Sequence, residues 1–329
     1  MMRAIVLEEQ KSIELEPLRA MDIKKPEPDG REVRVKVKTC GVCRTDLHIA
    51  EGEMKARRLP LVMGHQVVGI VDAGGESSRR FSPGQRVGAF WLAGSCNSCV
   101  FCESGRENLC EKAEFTGYDV DGGYEEYMIA DEDYLVSIPD SFSDEHAAPL
   151  LCAGVIGYRA LRLSGAEKRL GLFGFGSSAH IVLQLARSMG MEVFVFTRSE
   201  EHRRLAKRLG AVWAGGTEDD AGAKMDGAVI FSPAGDTVRE ALRFMDRGAT
   251  VAINAVHMSP LPSLDYDALY HERRIMSVAN VTRRDAIEFL RMAEGIETSV
   301  ELFRMEELNR ALKLLKESRI NGSAVVRID

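Results

Sequence analysis

A glycine-rich turn set between an apolar strand and a helix constrains this chain more than any other feature. Arg169-Leu170-Gly171-Leu172-Phe173 runs directly into Gly174-Phe175-Gly176-Ser177-Ser178-Ala179, after which Ile181, Leu183, Leu185 and Ala186 recur as on a helix that ends near Gly190. In a G-x-G-x-x-A turn the first glycine permits the tight bend and the second lets a pyrophosphate approach the backbone. The small Ala179 keeps helix and strand close, and the helix N-terminus faces the anion. The bare motif is common by chance. Its context here, with a second strand at Val193-Phe194-Val195-Phe196, makes it a dinucleotide fingerprint, with Gly174, Gly176, Ser177, Ser178 and Ala179 as the phosphate-facing residues. A charged helix from Glu200 to Leu209 and apolar runs at 228–231, 250–253 and 274–278 continue the alternation, which predicts a doubly wound parallel sheet.

The residue ending the second strand ordinarily selects between the two nicotinamide cofactors. A carboxylate there would accept from the free 2′-hydroxyl of NAD. This chain has Thr197-Arg198-Ser199, with no carboxylate before Glu200. Two hydroxyls and a guanidinium suit a 2′-phosphate, so NADP is expected, with NAD the lesser possibility.

The first 90 residues read differently. Val33-Arg34-Val35-Lys36-Val37-Lys38 alternates with period two, apolar runs follow at 61–65 and 67–71, and Pro83-Gly84 turns the chain into another strand. This predicts a compact, mostly antiparallel β domain, with helix only near Thr45 to Ile49. Near the C-terminus, helical stretches over 282–293 and 305–316 lead to a last strand over 323–328, which is expected to rejoin the first domain.

The seven cysteines carry the chemistry. Cys96, Cys99, Cys102 and Cys110 form a C-x2-C-x2-C-x7-C array in a stretch without regular patterning. Four thiolates so close can enclose one tetrahedral Zn(II) and leave no position for water or substrate, which is a structural site. Two disulfides, a redox pair or an iron–sulfur cluster are the competing readings, and cytosolic context favours zinc. Cys43, His65 and Cys152 remain, with Cys40 as the odd cysteine and an expected packing residue. Two thiolates and an imidazole match a catalytic zinc whose fourth position stays open.

Taken together, Cys40-Gly41-Val42-Cys43-Arg44-Thr45-Asp46-Leu47-His48, Gly64-His65, the cysteine array, Leu150-Leu151-Cys152-Ala153-Gly154 and the loop from Gly174 resemble the zinc-dependent alcohol dehydrogenases of the medium-chain dehydrogenase/reductase superfamily, over essentially the whole chain. Phe196-Thr197-Arg198-Ser199 and the stretch from Ile253 to Ser259 are similar to the cinnamyl-alcohol-dehydrogenase-like bacterial branch. The resemblance implies an α/β chain of two domains. One is a GroES-like, mostly antiparallel β catalytic domain over 1–152 and 286–329, with the structural zinc lobe at 94–110. The other is a Rossmann domain over 153–285, with a cleft between the two. It implies two zinc ions per chain, Asp46 orienting a ligand imidazole, and Thr45 passing the substrate proton to His48. It also implies Arg44 at the pyrophosphate, Asn254 and Val256 at the cofactor, and Met54, Trp91 and Tyr118 lining an apolar substrate pocket. The expected reaction is reversible hydride transfer between NADP(H) and primary alcohols or aldehydes, aromatic or medium-chain. A zinc-free quinone or enone reductase and a catalytically silent nucleotide sensor are the alternatives on the same fold. One departure stands out: the family usually has Glu after the zinc-binding His, and this chain has Gln66, for which altered turnover is expected.

Bulk properties narrow the remaining classes. At 329 residues two domains are the natural expectation. The net charge of −7 is dispersed, without the basic stripe that nucleic acid requires. No apolar run approaches the roughly 20 residues of a membrane span. The chain is therefore expected to act in the cytoplasm on a small molecule, without nucleic acid or membrane, as a homodimer or homotetramer.

Overall fold

The computed structural model describes residues 1–328. They divide into two compact units, one comprising Met1–Cys152 and the chain from Asn280 onward, the other Ala153–Ala279. The first unit opens with β1 (Met2–Leu7), β2 (Leu18–Ile23), β3 (Glu32–Val42) and α1 (Arg44–Glu51). It continues through β4 (Leu61–Val62), β5 (Val67–Gly74), β6 (Arg86–Ala89), β7 (Leu92–Gly94), α2 (Val100–Glu103) and β8 (Glu114–Phe115). After these come β9 (Tyr127–Asp131), β10 (Leu135–Ser137) and α3 (Asp144–Ala147). In β3 the alternation read from the sequence is realised: Val33, Val35 and Val37 are buried, while Arg34 and Lys36 point outward.

The second unit begins with α4 (Ala153–Ser164), β11 (Arg169–Phe173), α5 (Ser177–Ser188), β12 (Glu192–Phe196) and α6 (Glu200–Arg208). It ends with β13 (Trp213–Gly215), β14 (Met225–Ile230), α7 (Asp236–Leu242), β15 (Met245–Ile253) and β16 (Arg274–Ser277). All six strands are parallel, in the order β13-β12-β11-β14-β15-β16, so strand order reverses beside β11. Such a switch point opens a crevice at the carboxyl ends of the strands, where this unit's glycine turn stands. Phe173 and Phe196 stack with their centroids 4.2 Å apart and fill the core with Phe244.

The chain then returns to the first unit with α8 (Arg283–Met292), β17 (Val300–Arg304), α9 (Leu308–Lys316) and β18 (Ser323–Arg327). The return falls at Asn280, earlier than residue 286, because α8 as a whole belongs to the first unit. Thr282 and Asp285 cap it reciprocally, and Arg283 reaches Glu107 of the cysteine lobe at 3.3 Å. β18 pairs antiparallel with β3 and parallel with β17, extending the large sheet to β10-β6-β5-β3-β18-β17, with β9 also on β3. The sequence reading did not anticipate β17; its apolar residues alternate poorly, and Leu302 is exposed. It forms because β18 offers it a parallel edge.

Candidate metal and cofactor sites

The three candidate metal ligands are brought together by the β3–β5 pairing and by one buried turn. Cys43 leaves β3 and becomes the N-cap of α1: its sulfur accepts from the Thr45 N–H at 3.3 Å, and Asp46 Oδ2 accepts from the Cys43 N–H at 2.8 Å. A helix N-terminus favours negative charge on that sulfur. His65 lies two residues before β5, which neighbours β3 in the sheet; Gly41 N–H donates to the Gln66 carbonyl at 3.0 Å and locks this end of the pair. Cys152 closes the 3-10 turn Ala148–Leu151, which is fully buried. The ligand atoms of Cys43, His65 and Cys152 all lie within 4.8 Å of one another.

The donor set fits zinc. Cys43 Sγ and His65 Nε2 stand 3.3 Å apart; a tetrahedral ion with ordinary Zn–S and Zn–N bonds would hold such a pair roughly 3.5 Å apart. The other ring nitrogen, His65 Nδ1, faces Asp46 Oδ1 at 3.4 Å, and neither atom has a hydrogen-bond partner among the described residues. At that length the pair is an electrostatic contact rather than a well-formed hydrogen bond. Burial disfavours charge on His65, yet the Cys43 thiolate and Asp46 outweigh it and push its pKa up to about 10. The negative groups around His65 thus favour a cation at this centre, and two sulfurs with an imidazole suit zinc. Interaction with Cys152 holds the Cys43 thiol well below the ordinary thiol range, while the same contact and burial raise Cys152. Three protein ligands leave one coordination position for substrate. With Asp46 as the expected support of the imidazole, Asp46→Ala is expected to weaken zinc binding about ten- to a hundredfold. Competition with a chromogenic chelator checks this, and unchanged affinity would remove Asp46 from the site.

Around this centre the structure gathers the remaining first-unit residues. Thr45 sits half-buried in the first turn of α1, and His48 lies one turn on. His48 Nδ1 meets the Glu53 carboxylate at 2.5 Å, a partner the sequence reading did not name. Arg44 is exposed, and its guanidinium donates to Ser318 Oγ at 3.0 Å. Trp91 meets His65 edge-on at 4.9 Å between centroids, stacks on Phe115 at 5.0 Å and on Tyr118 at 6.0 Å. Met54, Trp91 and Tyr118 are partly buried against the first unit's core. Phe115 was missed by sequence reasoning, because its place on β8 behind the cysteine lobe leaves no local signal. Gln66 is buried, and Gly41 makes room for it: a Cβ at Gly41 would lie 2.6 Å from Gln66 Oε1. Cys40 is fully buried, with its thiol pKa raised by burial, as a packing residue should be. A cavity of about 670 Å³ is lined by Met2, Glu114, Glu125 and Tyr134, among others, and by none of Cys43, His65 and Cys152.

Cys96, Cys99, Cys102 and Cys110 also converge within 4.8 Å. Sulfur separations of 3.5 Å for Cys99–Cys102 and 3.9 Å for Cys96–Cys102 bracket the roughly 3.8 Å edge of a tetrahedron built on 2.3 Å Zn–S bonds. All seven cysteines are free thiols rather than disulfides. The lobe has little apolar filling, with Val100 65% exposed and Leu109 39% exposed.

In the second unit Gly174 adopts φ 89°, and Gly176 is the N-cap of α5 with open space where a side chain would stand. A Cβ on Gly174 would press on the Ser232 nitrogen at 3.1 Å, so this turn requires glycine. Ser177 and Ser178 start the helix, and Ala179 is fully buried against the sheet. Beyond β12, Ser199 caps α6 through its hydroxyl and Arg198 is exposed. Arg203, one turn into α6, donates to the Thr197 carbonyl at 2.9 Å and places a second guanidinium beside that loop. Sequence reading passed over it because it lies inside a charged helix. Asn254 N–H bonds the Ile230 carbonyl at 2.8 Å, just past the end of β15, and Val256 is 72% exposed. His180, behind the glycine turn, is driven down to about 4 by burial and by His202.

Comparison with known proteins matches two family descriptions, an alcohol dehydrogenase GroES-like domain over residues 29–140 and a zinc-binding dehydrogenase over residues 179–295. The chain is 41% identical over 322 residues to AdhA of Mycobacterium tuberculosis, named as a probable alcohol dehydrogenase, covering 95% of this chain and 93% of that protein. It superposes with a TM-score of 0.87 on the cinnamyl alcohol dehydrogenase SbCAD4 of Sorghum bicolor, at 26% identity, covering 99% and 97% of the two chains. A Sinorhizobium meliloti structure described as a zinc-binding dehydrogenase bound to NADP matches with a TM-score of 0.85 at 27% identity, covering 100% and 99%.

Proposed function

Since the chain belongs to the zinc-dependent alcohol dehydrogenases of the medium-chain superfamily, we propose that it interconverts primary alcohols and aldehydes, aromatic or medium-chain, with NADP(H) as the preferred cofactor. The observation that carries this reading is the convergence of Cys43, His65 and Cys152 beside the half-buried aromatic face of Trp91. When bound, zinc polarises the substrate oxygen and lowers the pKa of an alcohol, and the nicotinamide supplies or accepts the hydride.

The chain's own groups do the rest. Asp46 holds the His65 ring so that Nε2 faces the sulfurs. The Thr45 hydroxyl orients the substrate hydroxyl and passes its proton toward His48, whose Nδ1 is already tied to Glu53. Trp91, Phe115, Tyr118 and Met54 exclude water from the reacting carbon's side of the first unit. A quinone or enone reductase would have no use for the ligand triad.

Cofactor preference rests on Arg198, Ser199 and Thr197, with Arg203 alongside. Arg198→Ala is expected to lower kcat/KM for NADPH about tenfold or more, the scale of one charge-assisted hydrogen bond, and to leave NADH nearly unchanged. Equal losses with both cofactors would sink the 2′-phosphate assignment. The decisive test of the whole reading is NADPH oxidation by the zinc-loaded enzyme over a panel of aldehydes; absence of turnover across the panel would overturn it.

Seven free thiols, grouped mainly as metal ligands, fit a reducing compartment and support action in the cytoplasm. No helix among the described residues is long and apolar enough to cross a membrane. A homodimer or homotetramer is part of the proposal; it is supported by the open edge of β16, where Met276 is 40% exposed and the nearby Tyr270 62% exposed.

A further inference from the structure

We propose that Asn280 is a positioning residue: it fixes the Trp91 indole beside the metal ligands and thereby sets a preference for flat, conjugated alcohols and aldehydes over flexible aliphatic ones. The inference rests on the substrate reading above and adds to it the residue that imposes selectivity.

Trp91 Nε1 donates to Asn280 Oδ1 at 3.1 Å, across 189 positions of sequence. Indole N–H is a donor only, so it fixes which way the Asn280 amide points and leaves the Nδ2 group facing elsewhere. The same ring is edge-on to His65 at 4.9 Å and nearly parallel to Phe115, with an interplanar angle of 15°. Stacking and the edge contact constrain the plane of the indole but resist sliding within that plane weakly; the hydrogen bond supplies the missing constraint. A conjugated substrate gains from a flat wall held in one orientation, whereas a flexible chain adapts to several.

Asn280 adopts φ 51°, in the left-handed region, directly before the turn that caps α8. Asparagine tolerates this backbone, and its short amide can still reach the indole. A β-branched or long apolar residue would strain the turn and lose the acceptor together. Two substitutions separate these effects: Asn280→Gly keeps the backbone freedom and deletes the acceptor, and Asn280→Asp keeps both.

The chain has two tryptophans, so a Trp213→Phe background leaves Trp91 as the sole indole reporter. In that zinc-loaded background Asn280→Gly should red-shift the emission and increase acrylamide quenching. It should also lower the ratio of kcat/KM for cinnamaldehyde over hexanal about tenfold, through KM for cinnamaldehyde, with zinc content unchanged. Asn280→Asp should retain both the emission and the ratio. An unchanged ratio in Asn280→Gly, or equal losses on both aldehydes, overturns the proposal. Should the unaltered enzyme show no preference for cinnamaldehyde, it is the substrate reading that fails. The emission of Asn280→Gly then still decides whether Asn280 holds the indole, and an unshifted spectrum rejects that too.

Discussion

Replacing Cys43 by Ala is expected to leave one zinc per chain in place of two and to reduce kcat/KM about a thousandfold or more. The magnitude follows from the several kcal/mol that Lewis-acid polarisation contributes, with about 1.4 kcal/mol for each factor of ten. The substitution also deletes the sulfur that caps α1, but the Asp46 carboxylate still accepts from the backbone N–H of residue 43, so the helix keeps half its cap. A modest fall in melting temperature should therefore accompany a near-total loss of turnover. Metal analysis beside steady-state kinetics reads both effects. Substantial activity with one zinc per chain would mean that the reaction does not run at Cys43, His65 and Cys152.

The opposite pattern is expected in the cysteine lobe. Cys99→Ser should remove the other zinc, lower the melting temperature by about 6–12 °C, and leave kcat/KM on the surviving folded enzyme within a few fold. The lobe has little apolar filling, so most of its folding free energy is expected to come from the metal. Structural zinc binding is worth about 10 kcal/mol or more in small domains, of which only roughly 3 kcal/mol need be lost from the global stability to shift the transition that far. Fixed partners limit the damage: Glu107 accepts from the Arg283 N–H at 2.9 Å, and Arg283 lies over the Tyr134 ring at 4.9 Å. They hold the base of the lobe to α8 when its tip loosens. A variant with normal zinc content and an unshifted melting curve would show that the four sulfurs are not a metal site.

These two outcomes correspond to two kinds of legibility in the sequence. The cysteine lobe and the glycine turn lie within 15 residues and 6 residues of chain respectively. At that range backbone geometry leaves little freedom, so spacing by itself nearly dictates what the side chains can surround. The strand-and-helix alternation of the second unit was equally readable, because the 2.0 and 3.6 periodicities are local. The α1 ligand helix, expected over Thr45 to Ile49, is realised as Arg44–Glu51. It is longer by a residue or two at each end because Cys43 and Gly52 provide the caps.

The fold class, the alternation of β3 and the choice of candidate ligand residues were thus legible in the order of residues alone. Only the tertiary structure decided which distant side chains touch. The pairing of β3 with β5 runs to Cys40 opposite Val67 and brings the segments just beyond it, which carry Cys43 and His65, to the same end of the sheet, and the buried turn after α3 delivers Cys152. Arg44 turns to Ser318, and Glu53 supplies the carboxylate beside His48. Phe115 completes the wall behind Trp91, and Asn280 crosses from the returning chain to hold that indole. A pattern within a few residues is fixed by bond geometry. A contact between strands far apart in sequence depends on sheet register and packing, where a shift of one residue turns a side chain to the other face. For that reason Cys43 could be recognised as a ligand from its neighbours, while the aromatic wall over it, and the amide that anchors the wall, became visible only in the folded chain.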